Sequence, residues 1–185
     1  MIKDILKTEE NKMIKTIEHL KEELKSVRSG KASISLLDNI KVDYYGNMVP
    51  LSQVAALHTP DPKTITVKPW DKNLIPVIEK EIMKSSLGLN PNNDGTIIRI
   101  PIPAPSEEQR REYVKIAKKM GEEAKIAIRN IRRDGISKIK EDEKNKLISE
   151  DDSKRAQNEI QKLTDKYVKM VDDIIDKKEK EIMEV

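Results

Sequence analysis

Several residue types that build common sites are scarce or missing in this chain of 185 residues. It contains no cysteine, which excludes disulfides, thiolate metal sites, iron–sulfur clusters and cysteine catalysis. It contains no phenylalanine and one tryptophan, so a large aromatic core is excluded. No apolar run approaches the roughly 18 residues that a membrane-spanning helix needs. Early acidic residues, Asp4, Glu9 and Glu10, are not typical of a signal or transit peptide, so we expect a cytoplasmic protein with no membrane partner.

The motifs of common enzymes are also missing. There is no glycine-rich phosphate loop, no H-E-x-x-H and no nucleophile elbow. The two histidines, His19 and His58, are isolated, and a surface role is favoured over catalysis for both. For Trp70, packing in a core is favoured over stacking on a nucleic-acid base. We therefore expect no enzyme activity, no catalytic residue, no cofactor and no metal.

What the chain does contain is charge and helical periodicity. Charged residues make up 37% of it, yet 36 basic residues nearly balance 33 acidic ones. Disordered chains usually carry a large charge imbalance. Three stretches here repeat apolar residues at alternating steps of three and four, which is typical of helices that pack against other helices. These stretches cover residues 13–27, 113–131 and 156–174, and they predict a three-helix bundle.

Capping signals place the starts of two of these helices. Ser106 with Gln109 three positions later is typical of a capping box. Ser149 precedes three acidic residues, which are favourable against the dipole of the last helix. We predict that the second helix runs from about 106 to 145, on the order of 60 Å at 1.5 Å per residue. The bundle is therefore expected to be elongated.

The residues between the first and second helices have a different pattern. Eight of the nine prolines lie between positions 50 and 103. Period-two alternation and turn residues predict a small inserted α/β domain of a β-α-β, sandwich-like kind. Its predicted strands cover 40–44, 54–59, 64–68 and 96–102, its helix covers 75–85, and a loop covers 90–95.

The fold class is therefore predicted to be α+β, with a bundle of residues 1–29 and 106–185 and an inserted domain of residues 30–105. Two chain crossings join them, at 29–32 and 101–105. Because glycine relaxes the backbone and prolines stiffen it, a hinge is favoured at these crossings, and a rigid elbow is the alternative. The hinge candidates are Ser29, Gly30, Lys31, Pro103, Ala104 and Pro105.

Arginine is concentrated in the second predicted helix, which holds five of the eight in the chain. Arg129, Arg132 and Arg133 stand at i, i+3 and i+4 and so share one helix face, with Lys125 one turn earlier. The forked guanidinium group matches phosphate, so this face favours contact with an RNA backbone. The alternative is a solvated face with ion pairs inside the helix.

Short motifs along the whole chain carry a family resemblance. They are VRSGKA at 27–32, SLLDNI at 35–40, YYG at 44–46, LGLNPN at 87–92, RIPIP at 99–103, RNIRRD at 129–134, ISEDD at 148–152 and QKLTD at 161–165. Together they resemble the bacterial ribosome recycling factor family. Lys31 is a mild departure, because a second arginine is more usual at that position.

The resemblance implies an L-shaped, tRNA-like monomer with the bundle as its long arm and the inserted domain as its short arm. It implies that the protein, with elongation factor G and GTP, splits the post-termination ribosome into subunits for new rounds of protein synthesis. Arg132 would be the leading contact to large-subunit ribosomal RNA, with Arg129 and Arg133 beside it. Arg28 and Arg110 are further candidates that the resemblance supplies.

Two other kinds of function stay open at this point. In one, the protein is a helical-bundle scaffold or adaptor without RNA binding, and the arginines only solvate the bundle. In the other, an enzyme is seated in the small domain, which the missing motifs make remote. The face that carries Arg129, Arg132 and Arg133 separates the first of these from the RNA-binding hypothesis.

Overall fold

The computed structural model describes residues 1–27 and 30–184 of the chain. The candidate RNA contact Arg28 and the hinge candidate Ser29 therefore lie outside the described residues. Secondary structure within the described ranges belongs to the α+β class, as the sequence predicts.

The chain divides into two compact units, one built from residues 1–29 and 107–184 and the other from residues 30–106. Three long helices form the first unit, and one short helix with six strands forms the second. The four α-helices of the described residues are α1 (Ile2–Leu24), α2 (Ile75–Lys84), α3 (Glu107–Lys144) and α4 (Glu150–Met183).

The core of the helical unit lies along one stripe of each long helix. On α1, Met13, Ile17 and Leu20 are buried at steps of four and three. They share one apolar cluster with Ile128 of α3 and Val171 of α4. Each helix is charged on its other faces, so only mutual packing removes these stripes from water. The predicted periodicity therefore identifies the faces that the helices bury.

Two glycines let α3 approach its neighbours closely. A Cβ atom added at Gly121 would lie 2.6 Å from Cγ1 of Ile175 on α4. A Cβ atom added at Gly135 would lie 2.7 Å from Cδ1 of Ile160 on α4 and 3.0 Å from Cγ of Glu9 on α1. Glycine inside a helix costs about 1 kcal/mol relative to alanine, so close packing has to offset that cost at both positions.

The small unit begins with a two-stranded hairpin. Strand β1 (Lys41–Tyr44) pairs antiparallel with β2 (Asn47–Pro50). Tyr45 and Gly46 connect them, and both have positive φ angles, 50° and 86°, as a type I′ turn requires. The sequence predicts a strand over 40–44, close to β1, but misses β2.

A four-stranded antiparallel sheet completes the small unit, with strand order β3-β4-β6-β5. The helix α2 lies between β4 and β5 in the chain, and its buried Ile78 and Ile82 join the sheet residues Ile65 and Ile100 in one cluster. The strands are β3 (Ala55–Asp61), β4 (Thr64–Pro69), β5 (Asn92–Asn93) and β6 (Ile98–Pro101).

Two predictions about the small unit are wrong. The segment 90–95 was predicted as a loop, but it contains the two-residue strand β5, which pairs with Ile98 and Arg99. Trp70 was predicted to pack in the core, but it is 71% exposed. Trp70 directly follows β4, in which Ile65, Val67 and Pro69 are buried, so the period-two alternation places position 70 on the exposed side.

Candidate RNA-binding face

The arginine face consists of Arg129, Arg132 and Arg133, and the packing of α3 fixes its direction. Ile128 and Gly135, which flank the three arginines on the same helix, are both buried. With this stripe held inside the bundle, Arg129 and Arg133 lie on the outer part of the helix and are exposed. The face therefore follows from the apolar periodicity of α3.

Arg129 and Arg133 have no intramolecular partner among residues 1–27 and 30–184, neither an ion pair nor a hydrogen bond. The alternative from the sequence, a face satisfied by ion pairs within its own helix, does not describe these two side chains. Both side chains are exposed. Such guanidinium groups can bind phosphate without first breaking a contact inside the protein.

Arg132 is placed differently from its two neighbours. Its side chain is half-buried, and its Nη1 donates a hydrogen bond to Oε1 of Gln161 on α4 at 3.1 Å. Its Nε is buried and finds no hydrogen-bond acceptor among the described residues. The amide of Gln161 in turn donates from Nε2 to Oδ1 of Asp165 at 2.9 Å. Arg132 is thus held against α4 by a neutral group.

Lys125 is compensated by carboxylates. Its Nζ lies 2.5 Å from Oδ1 of Asp172 on α4 and 3.2 Å from Oε1 of Glu122. The hydrogen bond to Asp172 raises the pKa of Lys125 above its usual value. Only 17% of the lysine side chain is exposed. Lys125 therefore fits the alternative to RNA binding, in which ion pairs inside the protein compensate the basic residues.

Arg110 lies far from the arginine face along the same helix. It is in the first turns of α3, and 19 residues separate it from Arg129. At 1.5 Å per residue this is about 28 Å along the helix axis. The structure therefore does not bring Arg110 together with the arginine face, and the two would contact different parts of a large ligand.

The chain enters and leaves the small unit at neighbouring points of one turn. Ala32 N donates to the carbonyl oxygen of Pro62 at 2.7 Å, and Ile102 N donates to that of Lys63 at 2.8 Å. Pro62 and Lys63 form the turn between β3 and β4.

The hinge candidates lie next to these two anchors. Gly30 has φ +80°, and a Cβ atom there would lie 2.9 Å from Cδ of Pro105. Lys31, Pro103 and Ala104 are exposed. Both chain segments are thus fixed to the small unit only a few residues from the hinge candidates.

The sequence interpretation missed Gln161 and Asp165. Their i, i+4 spacing on α4 is visible in the sequence, but such pairs are common on exposed helix faces. The contact that gives Gln161 its place is with a residue 29 positions away on another helix. Helix periodicity contains no signal for that pairing.

Among the residues that the structure describes, no group of three or more His, Cys, Asp or Glu side chains is placed to hold a metal ion. Likewise, no helix within residues 1–27 and 30–184 is long and apolar enough to cross a membrane.

The sequence pattern of the ribosome recycling factor family matches residues 20–183 of this chain. The chain belongs to the ribosome recycling factor family. It is 52% identical to the ribosome-recycling factor of Syntrophomonas wolfei and 53% identical to that of Symbiobacterium thermophilum, over the full length of both chains in each case. The family resemblance that the sequence motifs indicate is therefore confirmed.

Two solved structures of the family are similar to this chain over its full length. One is a ribosome recycling factor in solution, 42% identical, with a TM-score of 0.69 and 98% of that chain covered. The other comprises models for the T. thermophilus ribosome recycling factor and the E. coli elongation factor G bound to the E. coli post-termination complex. Its matching chain is 42% identical and fully covered, with a TM-score of 0.61. Membership of the ribosome recycling factor family favours a non-enzymatic translation factor over the scaffold alternative.

Proposed function

We propose that this protein, acting with elongation factor G and GTP, splits the post-termination ribosome into subunits so that they can start new rounds of protein synthesis. Its membership of the ribosome recycling factor family supports this function. The observation that carries it is the arginine face, where Arg129 and Arg133, exposed and without a partner among the described residues, stand beside Arg132, which a neutral amide holds. The place of action is the cytoplasm, where ribosomes translate.

The arginine face is the proposed contact to large-subunit ribosomal RNA. Arg129, Arg132 and Arg133 supply forked donors that suit phosphate oxygens. Because no aromatic side chain belongs to this face, the contacts would read the RNA backbone and its shape rather than base sequence. Arg28 and Arg110 are kept as further candidates. Lys125 contributes less, because two carboxylates already compensate its charge.

Substitution of single arginines tests this contact. Arg132→Ala should weaken binding to large subunits about tenfold or more, since a charge-assisted hydrogen bond contributes about 1.5–3 kcal/mol. The slope of log affinity against log salt should become shallower by about one. The matched control is Arg155→Ala, an exposed arginine that pairs with Asp152 on its own helix. Unchanged affinity for Arg132→Ala, or an equal loss for Arg155→Ala, would contradict the proposed face.

We also propose that the small unit moves as one body on the hinge candidates Gly30, Lys31, Pro103, Ala104 and Pro105, with Ser29 beside them. The two main-chain hydrogen bonds from Ala32 and Ile102 support this, since both anchor their segments to the β3–β4 turn. Motion would then be confined to the short stretches beyond these anchors.

The absence of native cysteine makes the hinge easy to test. Dyes can be attached at the exposed positions of Lys84→Cys in the small unit and Lys169→Cys in the helical unit. Single-molecule energy transfer should show more than one interdye distance, and elongation factor G on the ribosome should change their populations. One unchanging distance in every state would support the rigid elbow.

A further inference from the structure

Gln161 occupies a special position next to the arginine face. It is half-buried on α4, and its carbonyl oxygen accepts the hydrogen bond from Nη1 of Arg132 at 3.1 Å. Within the described part of the chain, this hydrogen bond joins α4 to the arginine face. The guanidinium group of Arg132 therefore depends on Gln161 for its place.

The surroundings of Gln161 fix the orientation of its amide. Arginine can only donate hydrogen bonds, and an ionised aspartate can only accept them. Arg132 on one side and Asp165 on the other therefore require the carbonyl oxygen to face Arg132 and the NH2 group to face Asp165. Both contacts, at 3.1 Å and 2.9 Å, agree with that single orientation. The flipped amide would set donor against donor at Arg132 and acceptor against acceptor at Asp165, so both hydrogen bonds would be lost.

The neutrality of the amide matters as much as its position. Lys125, two helical turns away on α3, is also held against α4, but the acceptor there is the carboxylate of Asp172. A carboxylate cancels the charge that it holds, whereas an amide leaves the full positive charge available for a phosphate. The buried Nε of Arg132, which has no acceptor among the described residues, indicates that packing restrains this side chain further.

We propose that Gln161 is a positioning residue that orients the guanidinium group of Arg132 toward a phosphate of ribosomal RNA without neutralising it. This inference rests on the proposed role of the arginine face. Free arginines lose side-chain entropy when they bind, at about 0.5–1.5 kcal/mol for each immobilised side chain. Arg132 loses part of this side-chain entropy already in the free protein, because the hydrogen bond to Gln161 restricts its conformations.

Three variants separate positioning from plain packing. Gln161→Ala removes the acceptor and should lower affinity for large subunits about two- to twelvefold, which is the entropy range above converted to a ratio of binding constants. The double variant Gln161→Ala/Arg132→Ala should bind no more weakly than Arg132→Ala alone. The control Gln157→Ala, one turn earlier on α4, removes an amide that donates to Oγ of Ser153 on the same helix at 3.0 Å, and it should bind like the parent.

A charge exchange gives the sharpest readout. Gln161→Glu/Asp165→Asn keeps the net charge of the protein and keeps a donor–acceptor pair between these two positions. It also places a carboxylate next to Arg132. A carboxylate at position 161 would still hold Arg132 but would compensate its charge. If the neutrality of the amide matters, this variant should bind about as weakly as Arg132→Ala while its melting temperature is unchanged or higher. A purely structural role predicts parent-like binding.

The outcomes distinguish this proposal from the one on which it rests. If Arg132→Ala binds like the parent, both the arginine contact and its positioning by Gln161 are wrong. If Arg132→Ala weakens binding but Gln161→Ala and the charge exchange do not, only the positioning proposal is overturned. Additive losses in Gln161→Ala/Arg132→Ala would also overturn it, because they would mean that the two residues act independently.

Discussion

Glu9 of α1 is fully buried, and its Oε1 lies 2.8 Å from Nζ of Lys138 on α3. Lys12 approaches the same carboxylate at 3.3 Å from its own helix. Gly135 makes room for this arrangement, since a Cβ atom there would come within 3.0 Å of Cγ of Glu9. The hydrogen bond to Glu9 raises the pKa of Lys138 above its usual value. This ion pair therefore ties α1 to α3 at one register.

Glu9→Gln should lower the free energy of unfolding by about 1–3 kcal/mol, because it replaces the buried carboxylate that faces two ammonium groups with a neutral amide, a weaker acceptor. Urea denaturation measures the change. Glu22→Gln is the matched control, since Glu22 pairs with Lys25 at an exposed site. Its effect should stay within about 0.5 kcal/mol. Equal effects of the two substitutions would contradict the structural role of Glu9.

Gly121→Ala should destabilise the bundle although alanine is the better helix former. The new methyl group would meet Cγ1 of Ile175 at 2.6 Å, an atom near the backbone that cannot easily move aside. We expect a loss of about 1–2 kcal/mol, because overpacking typically costs 1–3 kcal/mol and alanine returns part of it.

Gly135→Ala provides the comparison for this prediction. Its new methyl group would meet Cδ1 of Ile160 at 2.7 Å and Cγ of the buried Glu9 at 3.0 Å, so this variant should also disturb the Glu9–Lys138 ion pair and cost at least as much. Thermal melts of both variants rank the two sites. A stabilised Gly121→Ala would show that the helices can separate there at no cost.

The hydroxyl group of Tyr167 gives the stability of the protein a dependence on alkaline pH. It donates to Oε1 of Glu10 at 2.8 Å, and burial together with this hydrogen bond raises the pKa of Tyr167 to about 12. The pKa in the unfolded chain is about 10. The stabilisation is therefore fully present below pH 10 and is lost as the pH rises through about 12.

Tyr167→Phe isolates this effect from the ionisation of the other tyrosines and of lysines. Near pH 8 the variant should be less stable than the parent by about 1–2 kcal/mol, because one hydrogen bond is lost. Between pH 10 and 12 the gap should shrink, since only the parent has this tyrosine to ionise on unfolding. Urea denaturation at each pH measures the gap, and a constant gap would rule out the raised pKa.

The exposure of Trp70 predicts a weak contribution to stability. Trp70→Ala should change the free energy of unfolding by less than about 1 kcal/mol, as is usual for surface substitutions. Because the chain has a single tryptophan, its fluorescence reports on this position alone. We expect the emission of a water-exposed indole in the folded protein, with little shift on unfolding. A large red shift on unfolding would place Trp70 in a core.

The helical unit was predictable because its stability depends on a periodic stripe. The spacing of Met13, Ile17 and Leu20 identifies both a helix and its buried side. Features that depend on contacts distant in the sequence were not predictable in this way. Strand β5 has only two residues and exists through pairing with β6, and Gln161 gains its place from Arg132 on another helix.

The wrong prediction for Trp70 has a different cause. The alternation of β4, in which Ile65, Val67 and Pro69 are buried, places position 70 on the exposed side of the strand. The strand period was therefore a signal against a core position, and the apolar character of tryptophan outweighed it in the prediction. For Lys125, the sequence shows one of its two compensating carboxylates, Glu122, three positions earlier on the same helix. The second, Asp172 on α4, is visible only in the structure.

Light scattering of post-termination ribosomes tests the central claim most directly. The protein, elongation factor G and GTP together should lower the scattering intensity as subunits separate, and omission of any one should leave it unchanged. A variant with Arg129→Ala, Arg132→Ala and Arg133→Ala should fold like the parent but fail to produce the decrease. Constant scattering with the parent protein, or full splitting by the triple variant, would contradict a ribosome-splitting factor that acts through the arginine face.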